Sequence, residues 1–200
     1  MRSAAETASG ANGAGAVGTG NGAAGPGGAG AVAPRFRGVL HAAAFPAAAV
    51  AGAVLIALGP TQQARLAAAV YSMTCMALFG VSAAYHRSPP ASRRRGLLAR
   101  LIWRSAWRPA PRWLITSLFI ALGWVAVFVL PQLLRGAGPL VLALVLAGGL
   151  LYSLGAVVYT LKRPNPSPRW FGFHEVFHAM TILAYLTQYA AVSLVVYRAT

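Results

Sequence analysis

The stretch PLVLALVLAGGLLYSLGAVVYTL, residues 139 to 161, contains no charged residue. It is long enough to cross a bilayer, since a span needs about 20 mostly apolar residues to traverse about 30 Å of hydrocarbon. Lipid offers no hydrogen-bond partners to open backbone, so such a segment is helical. Four more stretches read the same way: about Val39 to Gly59, about Leu66 to His86, about Trp113 to Pro131 and about Gly172 to Val196. Together they predict an all-α polytopic membrane bundle of about five transmembrane helices.

The composition agrees. Of the 200 residues, 58% are hydrophobic and only 10% charged, against about a quarter charged in a soluble domain. Residues 1 to 34 are mostly Gly and Ala and lack the apolar h-region of a secretory signal. They are expected to form a disordered tail ahead of a transmembrane domain over 35–200. Cys75 is the only cysteine, which excludes an intramolecular disulfide. It falls mid-span and reads as a small packing residue.

The charges orient the bundle. The chain has Lys162 and sixteen arginines, two glutamates (Glu6 and Glu175) and no Asp, for a net charge of +15. With the N-terminus inside, the cytoplasmic side holds fourteen basic residues and the outside three, Arg65, Arg135 and Arg198. That asymmetry is a positive-inside signal. The basic residues lie in short loops, where anionic lipid attracts them, so membrane lipid rather than nucleic acid is the expected partner. Residues 93 to 112, RRRGLLARLIWRSAWRPAPR, set Leu97, Leu98, Leu101 and Ile102 among arginines. That spacing suits a short amphipathic helix on the inner leaflet, with a solvated linker as the alternative.

This topology gives the histidines a meaning. His41 opens the first span, His86 closes the second, and His174 and His178 open the fifth. All four therefore lie at the cytoplasmic end. Polar groups within spans are costly and usually face the bundle interior. His174 and His178 sit one turn apart on one helical face, and Ser82 lies one turn deeper than His86 on its own face. Three histidines with an open fourth position make a catalytic zinc arrangement, which activates water for attack on a carbonyl. His86, His174 and His178 are thus candidate zinc ligands. His41 reads as a polar tip at the headgroup level. Residues 174 to 178, HEVFH, also fit the H-E-x-x-H pattern, but nothing after His178 could be a third ligand. Glu175 projects about 100° from His174. Orienting a ligand, pairing with a loop arginine and accepting a proton all remain open to it. Glu175 and Ser82 are the candidate catalytic residues.

The segment GGLLYSLGAVVYTLKRPNPSPRWFGFHEVFH, Gly148 to His178, resembles the last two helices of the hemolysin III family. SAAYHR (82–87) resembles the end of its second helix, and RGVLHAAAFP (37–46) and GWVAVFVLP (123–131) resemble its first and fifth helices. The family belongs with the adiponectin and progestin receptor superfamily. The resemblance implies a seven-helix fold with zinc near the cytoplasmic face on three histidines, which map onto His86, His174 and His178. The family's Ser maps onto Ser82. This sequence departs from the pattern after the second span, where two helices and an Asp-bearing segment are missing. Three roles remain: a zinc-dependent membrane lipid amidase, a cytolytic or pore-forming protein of the cell membrane, and a zinc-binding or inactive remnant. No span shows a polar stripe fit to line a channel.

The segment from Arg87 to Arg112 is predicted to face the cytoplasm. Cysteines introduced at Ser92 and at Thr61 should label from opposite sides of the membrane. Labelling of position 92 from outside intact cells would sink this topology.

Overall fold

The computed structural model describes residues 34–89, 92–94, 96–97 and 112–198. The expected tail over 1–34 lies, but for Pro34, outside the described residues, as does most of the expected amphipathic helix over 93–112. Six α-helices and one 3-10 helix are described: α1 (Val39–Ala57), α2 (Gln62–Arg87), α3 (Arg112–Gly123), a 3-10 helix (Trp124–Val129), α4 (Leu130–Ala137), α5 (Pro139–Leu161) and α6 (Phe173–Tyr197). Four of them, α1, α2, α5 and α6, are long and apolar enough to cross a membrane.

Local chemistry sets the ends. Thr61 caps α2, its Oγ1 accepting from Ala64 N–H at 3.1 Å. Arg65 Nε donates to Gly59 C=O at 2.7 Å and closes the α1–α2 turn. α5 stops where Lys162 turns left-handed (φ 56°), two residues before Pro164. Asn165 Oδ1 accepts from Phe173 N–H at 3.2 Å, giving one orphan donor at the start of α6 a partner.

The third apolar stretch is not one continuous helix. α3 ends at Gly123, a 3-10 turn runs through Val129, and α4 resumes with Pro131 in its first turn. Pro131 has no N–H for a bond to Val127 C=O, and its ring would crowd that carbonyl. The β-branched Val125, Val127 and Val129 add little helix propensity. Trp124 is fixed by its Nε1–H, which donates to Ser153 Oγ of α5 at 3.0 Å.

The helices pack most extensively as two pairs, α1 with α2 and α5 with α6, and α6 also touches α1 and α2. Small residues allow the close approach expected where lipid supplies no hydrophobic drive between helices. A Cβ on Gly52 would lie 2.6 Å from Ser72 Cβ, and one on Gly155 would lie 3.1 Å from Met180 Cβ. Leu55, Ala64, Ala68 and Val196 form a buried cluster near one end, roofed by Tyr71 and Tyr189. Val50, Val70, Met73, Leu150 and Leu183 are exposed and suit a lipid-facing belt.

At the other end a backbone staple joins the start of α1 to the loop before α6. Arg35 N–H donates to Arg169 C=O at 3.0 Å and Phe36 N–H to Trp170 C=O at 3.2 Å. The Arg35 guanidinium lies 4.5 Å over the Trp170 ring.

Gly52→Leu should part α1 from α2 and cost about 1–3 kcal/mol, as overpacking does. Gly136→Leu is the control, because a Cβ there meets nothing within 4 Å. Unfolding in mixed detergent should separate the two variants. Equal stability would show that Gly52 does not set the α1–α2 approach.

Candidate metal centre

The staple places the start of α1 beside that of α6, and α2 delivers its last turn to the same place. Gly38 makes the junction possible. Its φ of +77° is left-handed, and a Cβ on it would fall 2.7 Å from His86 Cβ. Only glycine meets both demands, so the entry to α1 presses directly on a candidate ligand.

Three imidazoles converge there. One ring nitrogen from each of His86, His174 and His178 lies within 4.8 Å of the other two, close enough to hold a metal ion. The Nε2 atoms of His86 and His174 are 3.1 Å apart. Tetrahedral zinc with bonds of 2.0–2.1 Å would set its nitrogens about 3.3 Å apart, so the pair is nearly spaced for a shared ion. His178 is 3% exposed. Its Nε2 is buried and has no hydrogen-bond partner among the described residues. A buried polar atom with no partner is costly, and a metal ion would satisfy it. The donor set therefore fits zinc, and the convergence of α2 and α6 expected from sequence is present.

His41 departs from expectation. It was read as a polar tip at the headgroup level, yet it is 2% exposed and sits inside the bundle. Its Nδ1 is 2.7 Å from Ser82 Oγ. Its Nε2 is 3.0 Å from His178 Nδ1 and 3.2 Å from Thr181 Oγ1. Phe79 meets its ring edge-on, centroid to centroid at 5.1 Å. Ser82 thus contacts His41. Thr181, which sequence reasoning missed, also donates to His178 C=O at 2.8 Å. Its signal was present: positions 174, 178 and 181 follow the four–three spacing of one helical face.

Glu175 is fully buried but turned toward its own helix start. Its Oε2 accepts from Gly172 N–H at 2.9 Å. That contact is one half of a capping box, and a carboxylate in the first turn also suits the helix dipole. Its Oε1 is buried and has no hydrogen-bond partner among the described residues, so the cap engages one carboxylate oxygen and leaves the other for the roles the sequence left open.

A cavity of about 390 Å³ is lined by Phe79 and Thr181, both of which contact His41, and by no histidine. Its wall is mostly apolar and aromatic, from Leu78, Phe79, Trp124, Tyr152 and Tyr185, and Thr181 links it to the His41–His178 contact.

The protein-family model described as haemolysin-III related matches residues 30–101 and 91–189. The two matches overlap at residues 91–101. No solved structure matches the chain.

Glu175→Ala should cost about 0.5–2 kcal/mol of stability through loss of the cap. Glu175→Gln should cost less, since its amide oxygen can still accept from Gly172 N–H. Metal content should be unchanged in both. Loss of metal in the Gln variant would show that the carboxylate serves the site.

Proposed function

The chain belongs to the haemolysin-III related family, and on that footing we propose that it is a zinc-binding multi-pass protein of the cell membrane, with His86, His174 and His178 as the ligands. The observation that carries this reading is the convergence of three ring nitrogens within 4.8 Å of one another, from two helices long and apolar enough to span a membrane. The orphaned Nε2 of His178 supports it further. When bound, zinc would supply Lewis acidity toward a carbonyl.

The protein's own residues would do the rest. His174 and His178 present two ligands from one helical face, so α6 sets their separation. α2 brings His86 from across the bundle.

A second reading is hydrolysis of a lipid amide. The observation in its favour is the apolar cavity, which reaches the histidines through Thr181. An acyl chain would fill the aromatic wall, leaving the polar linkage near the imidazoles. Against it stands the absence of Asp from the whole chain, with one oxygen of Glu175 engaged at Gly172. A zinc-dependent amidase needs a proton acceptor near the reacting group. Binding without turnover is therefore the preferred reading.

Metal analysis of the purified full chain should find about one zinc per chain, as a single three-histidine site requires. His86→Ala together with His178→Ala should abolish it while the protein stays folded. Wild type that neither retains zinc nor takes it up would sink the proposal. Cleavage of a ceramide-like amide by wild type, lost on chelation, would promote the second reading over the first.

A further inference from the structure

We propose that His41 is a positioning residue that fixes the proton of His178 on Nδ1 and so presents Nε2 of His178 as a bare lone pair toward His86 and His174. The inference rests on the zinc reading for its purpose but not for its geometry. Three contacts carry it: His178 Nδ1 to His41 Nε2 at 3.0 Å, His41 Nδ1 to Ser82 Oγ at 2.7 Å, and Thr181 Oγ1 to His178 C=O at 2.8 Å.

Two proton arrangements are compatible with a neutral His41. In the first, His178 Nδ1–H donates to His41 Nε2, and His41 Nδ1–H donates to Ser82 Oγ. In the second, Ser82 donates to His41 Nδ1, His41 Nε2–H points at His178 and Thr181, and the proton of His178 moves to Nε2. Both leave His178 Nε2 buried without a hydrogen-bond partner among the described residues, but only the first presents a lone pair there that a metal ion can take up. The second would turn an N–H on the nitrogens of the cluster instead of a ligating lone pair. The first arrangement gives every ring nitrogen of the two residues a role. A metal-ligating imidazole commonly donates its other N–H to such a partner, which fixes its tautomer and ring orientation.

The partner is itself held. His41 is 2% exposed, packed edge-on against Phe79, and placed by the staple that anchors the start of α1. Ser82 stands one turn before His86 on α2, so the helix that provides one ligand also holds the residue that orients another. The relay Ser82–His41–His178 thus joins α2, α1 and α6 in one polar chain.

The test has two readouts. Nitrogen-15 imidazole shifts of His178, taken on full chain in lipid nanodiscs stripped of metal, should place the proton on Nδ1. His41→Phe keeps an aromatic ring but removes the acceptor, and should leave His178 a mixture of tautomers. His41→Gln restores an acceptor oxygen and should restore the Nδ1–H form. Zinc affinity, measured by chelator competition, should fall by about 10–100-fold in His41→Phe and recover in His41→Gln. A proton on Nε2 of His178 in wild type overturns the inference without any variant, so a folding defect in His41→Phe does not shield it. An unchanged tautomer and affinity in His41→Phe overturn it too. Wild type that binds no zinc would defeat the zinc reading, while the tautomer measurement would still decide the role of His41.

Discussion

An imidazole held inside an apolar bundle cannot turn to water, so its two nitrogens must find partners on other side chains. That demand organises the histidine-bearing end of this protein. Four histidines from three helices lie within reach of one another, and each contact crosses from one helix to another: His41 to His178, His41 to Ser82, His86 to His174. No single helix can satisfy its own histidines. The packing of α1, α2 and α6 and the polar network are therefore two descriptions of one arrangement, since neither could move without stranding polar atoms.

Much of this was legible in the sequence, and the reason is physical. Uninterrupted apolar runs mark the candidate spans, and arginine asymmetry predicts which ends share one side of the membrane. Depth follows from those two facts, so the shared level of His41, His86, His174 and His178 could be read before any coordinates. What could not be read is rotation about each helix axis. Whether His41 faces lipid or interior depends on the approach allowed by Gly38 and on main-chain bonds to Arg169 and Trp170, more than 100 residues away. The break at Trp124–Val129 was half visible, because Pro131 forbids one hydrogen bond but does not say how far the disruption runs.

The acidic side of the site shows a different economy. Glu175 is the one acidic residue in any candidate span and gives one oxygen to the helix cap, while the hydroxyls of Ser82 and Thr181 contact His41. Hydroxyls orient imidazoles well but are poor proton acceptors near neutral pH.

The staple between residues 35–36 and 169–170 is made by main-chain N–H and C=O groups. Every non-proline residue carries both, so the tie is largely indifferent to which side chains occupy those positions. The arginines that project from it can drift with the lipids of the host membrane. Meanwhile the start of α1 and the loop before α6 stay joined beside the histidines. Descendants of this chain could thus diverge widely on the rim while the interior geometry is inherited unchanged.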